Sequence, residues 1–84
     1  MTVHRVISAQ AINDHLLLVE FDNHQRKQYD ITPLLSKAAF SPLRDPVLFK
    51  SVQVDKGGYA VFWNSEIDLS EYELWQNGKQ QVSE

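Results

Sequence analysis

LLLVEFDNHQRKQYDITPLL, residues 16–35, decides the fold. With His15 placed before it, the side chains His15, Leu17, Val19 and Phe21 alternate with Leu16, Leu18 and Glu20. Successive side chains of a strand point to opposite faces, so residues 15–21 are predicted to form a strand, buried on one face and partly on the other, and central in its sheet. Asp22, Asn23 and His24 interrupt the alternation with residue types that turns favour, and Gln25 to Ile31 resumes it with Lys27, Tyr29 and Ile31 on one face. The two runs predict an antiparallel hairpin. Thr32 followed by Pro33 reads as a helix start, because a threonine oxygen can accept from first-turn amides and a proline there gives up no hydrogen bond. A short helix through Leu34, Leu35, Ala38 and Ala39 is expected, with one apolar stripe.

Working outward, Val3 to Ile12 reads as a first strand and Asn13-Asp14 as the turn after it. On the other side, Phe40, Ser41 and Pro42 end the expected helix, and Asp45-Pro46 repeats the start signal for a second helical turn carrying Val47, Leu48 and Phe49. Val52 and Val54 flank Gln53, Lys56-Gly57-Gly58 supplies a tight turn, and Tyr59 to Trp63 completes a second hairpin. Ser70 and Glu73 form a capping box, with Leu69 and Leu74 at the positions of a hydrophobic staple. A helix is predicted from Glu71 to Asn77, stopped by Gly78 and favoured by Glu71 and Glu73 in its first turn. The polar residues 79–84 read as a frayed tail. The expected architecture is α+β: a small antiparallel sheet of four to five strands built from two hairpins, with short helices in the middle and at the C-terminus packed on it, all one domain over residues 1–84.

The chain has 84 residues, 43% of them hydrophobic, enough for one globular body. It contains no cysteine, so disulfides, thiolate metal sites and cysteine nucleophiles drop out, and a reducing cytoplasm is the expected home. The longest apolar run, Tyr59 to Trp63, falls far short of the roughly 20 residues of a spanning helix. Met1 to Arg5 does not open a signal peptide, so a soluble, unexported protein is expected. Charges nearly balance up to residue 60; beyond it Lys79 stands alone against Glu66, Asp68, Glu71, Glu73 and Glu84. Arg26-Lys27 is the one basic pair, which disfavours direct binding of nucleic acid.

Few patterns carry chemistry. His4, His15 and His24 stand eleven and nine residues apart and form no metal-ligand spacing, so no metal or cofactor is expected. No nucleophile elbow surrounds any serine. Gly57-Gly58 lies between two strands and reads as a hairpin turn, not a phosphate loop. Asp30 and Asp68 each stand between apolar residues; the reading adopted is structural capping, shared with Ser70 and Glu73, and the sharper one pairs the two aspartates as acid and base. Trp63 is expected in the core, whereas Trp75 and Tyr72 on the last helix are candidate interface anchors.

Three ordered stretches, LLLVEFDNHQRKQYDITPLL, FSPLRDPVLFKSVQVDKGGYAVFW and IDLSEYELW, resemble the small bacterial family named domain of unknown function 2442. Its pattern is a hairpin ending in an aromatic-Asp-aliphatic-x-Pro step, a Phe-x-x-Leu link, a hairpin ending in Trp, and Ile-Asp-Leu before a terminal helix. The resemblance implies a small α+β domain without assigned enzymatic activity, in some members suggestive of an antitoxin. Two positions depart from the pattern. Asn23-His24 replaces Asn-Gly, which predicts a non-glycine residue at positive φ, and Asn64-Ser65-Glu66 replaces a glycine-containing loop.

The function expected is that of an uncharacterised, non-enzymatic protein-interaction module, regulatory or antitoxin-like. It would use an open sheet edge or face with Asp68, Glu71, Tyr72 and Trp75 to meet a basic protein or a second copy of itself. The alternative is a small ligand-binding or catalytic domain using Asp30 and Asp68 at the sheet end.

Overall fold

In the computed structural model, which describes residues 5–80, the first hairpin sits at the centre of the larger sheet. In β2 (Leu16–Phe21) the side chains of Leu17, Val19 and Phe21 are fully buried while Leu16, Leu18 and Glu20 are partly covered, matching the alternation in the sequence. β1 (Val6–Ala11) and β3 (Arg26–Asp30) flank it antiparallel, and a two-residue strand, β7 (Lys79–Gln80), lies on the far side of β3. At the hairpin tip His24 is held at φ 70°, the positive value expected, with Asn23 Oδ1 accepting from the Gln25 amide at 3.1 Å.

The second hairpin, β4 (Gln53–Val54) and β5 (Ala60–Asn64), takes β6 (Ile67–Ser70) as its third strand. The α+β class and both hairpins stand as expected. The described strands number seven, however, and divide between a four-stranded and a three-stranded sheet. Residues 31–52 lead away from β3 through turns, and β7 occupies part of the edge of β3, so the second hairpin builds its own sheet.

The inner faces of the two sheets share one core. Val6, Leu17, Val19, Phe21 and Tyr29 come from the first; Val61, Trp63, Ile67 and Leu69 come from the second. The sheets meet at a seam where the Val6 amide donates to the Gly58 carbonyl at 2.9 Å. On the other side the last helix, α2 (Glu71–Asn77), packs against both β3 and β6 and closes the wall. The result is a barrel-like wrap in which a helix takes the place of a strand.

The link from β3 to β4 departs from expectation. Thr32–Leu34 makes a single 3-10 turn, followed by further i to i+3 turns that include Lys37 to Leu34 and Phe40 to Lys37. No helix runs to Ala39. Ala38 and Ala39 are exposed, and only Leu34, Leu35 and Phe40 pack on the core, too little burial to offset helix nucleation. The Thr32 hydroxyl does not cap this turn; Asp30 Oδ1 accepts from the Thr32 amide at 2.9 Å instead. The second start signal works as read. Asp45 Oδ1 accepts from the Val47 amide at 3.0 Å, opening α1 (Pro46–Phe49), whose Phe49 is buried beneath Trp63. The indole Nε1 of Trp63 donates to the Phe49 carbonyl at 2.8 Å, so its one polar atom is satisfied inside the core.

α2 has the predicted bounds. Ser70 Oγ accepts from the Glu73 amide at 3.1 Å, and Leu69 and Leu74 are both buried. Gly78 ends the helix in extended conformation, φ −74° and ψ 152°, not in the left-handed one. Glycine is needed there for close approach: a β-carbon would stand 2.5 Å from the Leu74 carbonyl oxygen and 3.2 Å from Lys27 Cβ. Lys79 and Gln80, expected to fray, pair with Gln28 and Lys27. The rest of the expected tail, 81–84, lies outside the described residues, as do Val3 and His4.

Candidate functional site

Strand register fixes what each outer face presents. On the four-stranded sheet Leu16 stands opposite Asp30, Leu18 opposite Gln28 and Glu20 opposite Arg26, with Gln10 beside Leu18 and Lys79 beside Gln28. Leu16 and Leu18 are half-buried between these polar side chains. At one end the face opens into a cleft of about 430 Å³ lined by Leu16, Gln28, Asp30, Pro33, Asn77 and Lys79. Toward the other end a shallower depression of about 260 Å³ includes Ser8, Gln10, Leu18, Glu20 and Arg26.

Asp30 belongs to the larger cleft. Its Oδ1 accepts from the Thr32 amide at 2.9 Å and lies 3.3 Å from His15 Nδ1. Hydrogen bonds from Thr32, and to a lesser degree the His15 ring, hold the carboxyl below its usual range. A general acid or base at neutral pH needs the opposite shift, so the chemistry of Asp30 is that of a stable anion and turn cap. Asp68 is exposed on β6, opposite Phe62. The two aspartates therefore lie on different sheets, and the structure does not bring them together. His24 sits at the hairpin tip, 3.9 Å from a Glu20 oxygen, and no cluster of three His, Asp or Glu residues suited to a metal forms among the described residues.

The outer face of the three-stranded sheet has a different character. Gln53, Phe62 and Asp68 stand in a row across β4, β5 and β6, and Ala60 pairs with Ser70 below them. α2 follows β6 directly and opens with half-buried Glu71 and with Tyr72, which is 64% exposed. Glu66, Asp68 and Glu71 form no ion pair with another described residue.

Trp75 sits differently from its neighbours. It is half-buried, with its ring edge-on to Phe21 at a centroid separation of 5.0 Å. Lys27 Nζ lies 4.0 Å from the centre of the Trp75 ring and donates to the Trp75 carbonyl. Glu73, read as half of a capping box, accepts from the Tyr29 hydroxyl at 2.7 Å instead. Burial first, and Glu73 second, push the Tyr29 phenol well above its ordinary value. Lys27 and Tyr29 thus fasten α2 to β3.

The same alternation splits the basic pair of the sequence, since Lys27 faces inward and Arg26 outward, where its Nε lies 3.8 Å from Glu20 Oε1. The Lys27 clamp has one sequence signal: Lys27 shares the inward parity of Tyr29 and Ile31, where an ammonium must find a partner. No local pattern marks the exposed apolar residues Ile7, Ile12 and Val47, or Tyr59, whose ring lies 4.1 Å beneath the Arg5 guanidinium.

No helix among the described residues is long and apolar enough to cross a membrane. No curated protein and no solved structure matches the chain. The family described as protein of unknown function (DUF2442) matches residues 6–80, a span that takes in both hairpins, the link between them and the terminal helix. The chain belongs to that uncharacterised family.

Proposed function

We propose that this chain is a non-enzymatic interaction module that engages a basic protein partner through the outer face of the three-stranded sheet and the first turn of α2. One observation carries the reading: Phe62 stands opposite Asp68 on this face, Glu71 and the 64%-exposed Tyr72 follow directly after β6, and no described residue neutralises Glu66, Asp68 or Glu71. Aromatic side chains supply contact area at little entropic cost, and uncompensated carboxylates steer a cationic surface toward them. The sheet edges are poorer candidates, because β1 meets the turn after β4 at the seam and α2 packs along β6. Trp75, the fourth candidate residue, is half-buried against Phe21 and Lys27 and fixes α2 in place. A regulatory or antitoxin-like neutralising role in a bacterium is the form suggested by the family resemblance, and the cysteine-free composition suits a reducing cytoplasm.

The test compares the wild-type chain with Asp68→Lys/Glu71→Lys, both checked by circular dichroism for an unchanged fold. Wild type should retain a partner that high salt releases, and the charge-reversed chain should lose it. Identical retention by the two chains, or retention indifferent to salt, overturns the proposal.

A further inference from the structure

The cleft at the end of the four-stranded sheet is separate from the acidic face, and its chemistry is of another kind. Lys79 pairs with Gln28, and Asp30 lies two residues further along β3 on the same face, so the cation and the anion occupy diagonal positions with backbones about 7–8 Å apart. They do not pair with each other. Lys79, Gln28 and Asn77 make no side-chain hydrogen bond or ion pair with a described residue. The Thr32 amide and the His15 ring both approach Oδ1 of Asp30 and the Thr32 side chain also bonds the carboxyl, yet the carboxylate stays half exposed to the cleft. Leu16 and Pro33 contribute hydrocarbon to the lining between them.

A simple anion would satisfy Lys79 but face the Asp30 carboxylate, and a simple cation would meet the reverse conflict. A molecule carrying both charges a few ångströms apart, with an apolar branch, meets every group in the cleft. We propose that this cleft binds a small zwitterion of the α-amino-acid type, its carboxylate on Lys79, its ammonium on Asp30 and its side chain against Leu16 and Pro33. The amides of Gln28 and Asn77 complete the polar contacts. Both charged residues are solvent-exposed, so the affinity is weak, with half-saturation on the order of 1 mM.

Amide NMR titration of the full chain with L-leucine tests this. Saturable shifts should gather at Leu16, Gln28, Asp30 and Lys79. The same titration with 4-methylpentanoate, which lacks the ammonium, and with isoamylamine, which lacks the carboxylate, should show binding weaker by about fivefold or more, as should L-leucine with Lys79→Met. Lys79→Met should leave the spectrum of the core unchanged. Failure of L-leucine to saturate, or a loss smaller than fivefold in either single-pole analogue or in the variant, overturns the inference. Neither result bears on the acidic face, which lies on the other sheet.

Discussion

The Tyr29 phenol, 5% exposed and donating to Glu73 at 2.7 Å, makes the stability of this molecule sensitive to alkali. Near pH 10, the ordinary phenol value, the unfolded chain begins to release this proton while the folded chain retains it. Fewer protons are then bound in the unfolded state than in the native one, so stability is full below that pH and falls as pH rises above it. Tyr29→Phe should cost about 1 kcal/mol at neutral pH and flatten the alkaline loss. Urea midpoints of both chains at about pH 9 and about pH 11 check this; equal alkaline losses would contradict it. Gly78 makes a second residue-scale prediction. Its missing side chain lets the helix end approach Lys27, so Gly78→Ala should destabilise the fold by about 1–3 kcal/mol, read from the same midpoints. Gly78 reads locally as a helix stop, but besides the nearby Leu74 carbonyl a Cβ there would also crowd Lys27, about fifty positions earlier, and that contact is not a local property.

Among the elements, α2 was legible to the residue because its signals are local: a serine cap, a staple and a terminating glycine within ten positions. The link over residues 32–44 was not. Thr32-Pro33 marks a start correctly, but whether a helix continues depends on how much of Leu34 to Ala39 finds core to cover, and the two alanines find none. β6 was hidden for a related reason, since Ile67 and Leu69 around Asp68 form too short an alternation to be read without their partner strand. Trp75 shows the same limit. Helical position alone suggested the rim, while Phe21 and Lys27 hold the ring against the barrel. In Trp63→Phe the remaining indole should therefore fluoresce to the blue of free tryptophan and shift red on unfolding; emission unchanged by denaturant would refute that packing.

At the scale of the whole molecule, the class, both hairpins and the excess of acid after residue 60 follow from pattern and composition. The division into two sheets, and the seam between Val6 and Gly58 that joins them, do not, because both depend on contacts remote in sequence. Gly58 holds φ +78°, and a β-carbon there would come within 2.7 Å of the Val6 carbonyl oxygen. Gly58→Ala should therefore cost about 2–4 kcal/mol by straining the turn and forcing the sheets apart, measured as a lowered melting temperature. Asp30 and Asp68 belong to the same lesson: their similar surroundings in sequence say nothing about which sheet each will join. The closing helix has a temporal consequence as well. Translation delivers α2 after β1 to β6, so a ribosome must extrude all six of those strands before the interior can be sealed. Throughout its synthesis the nascent protein presents the greasy lining of two unfinished sheets to any chaperone at the tunnel mouth.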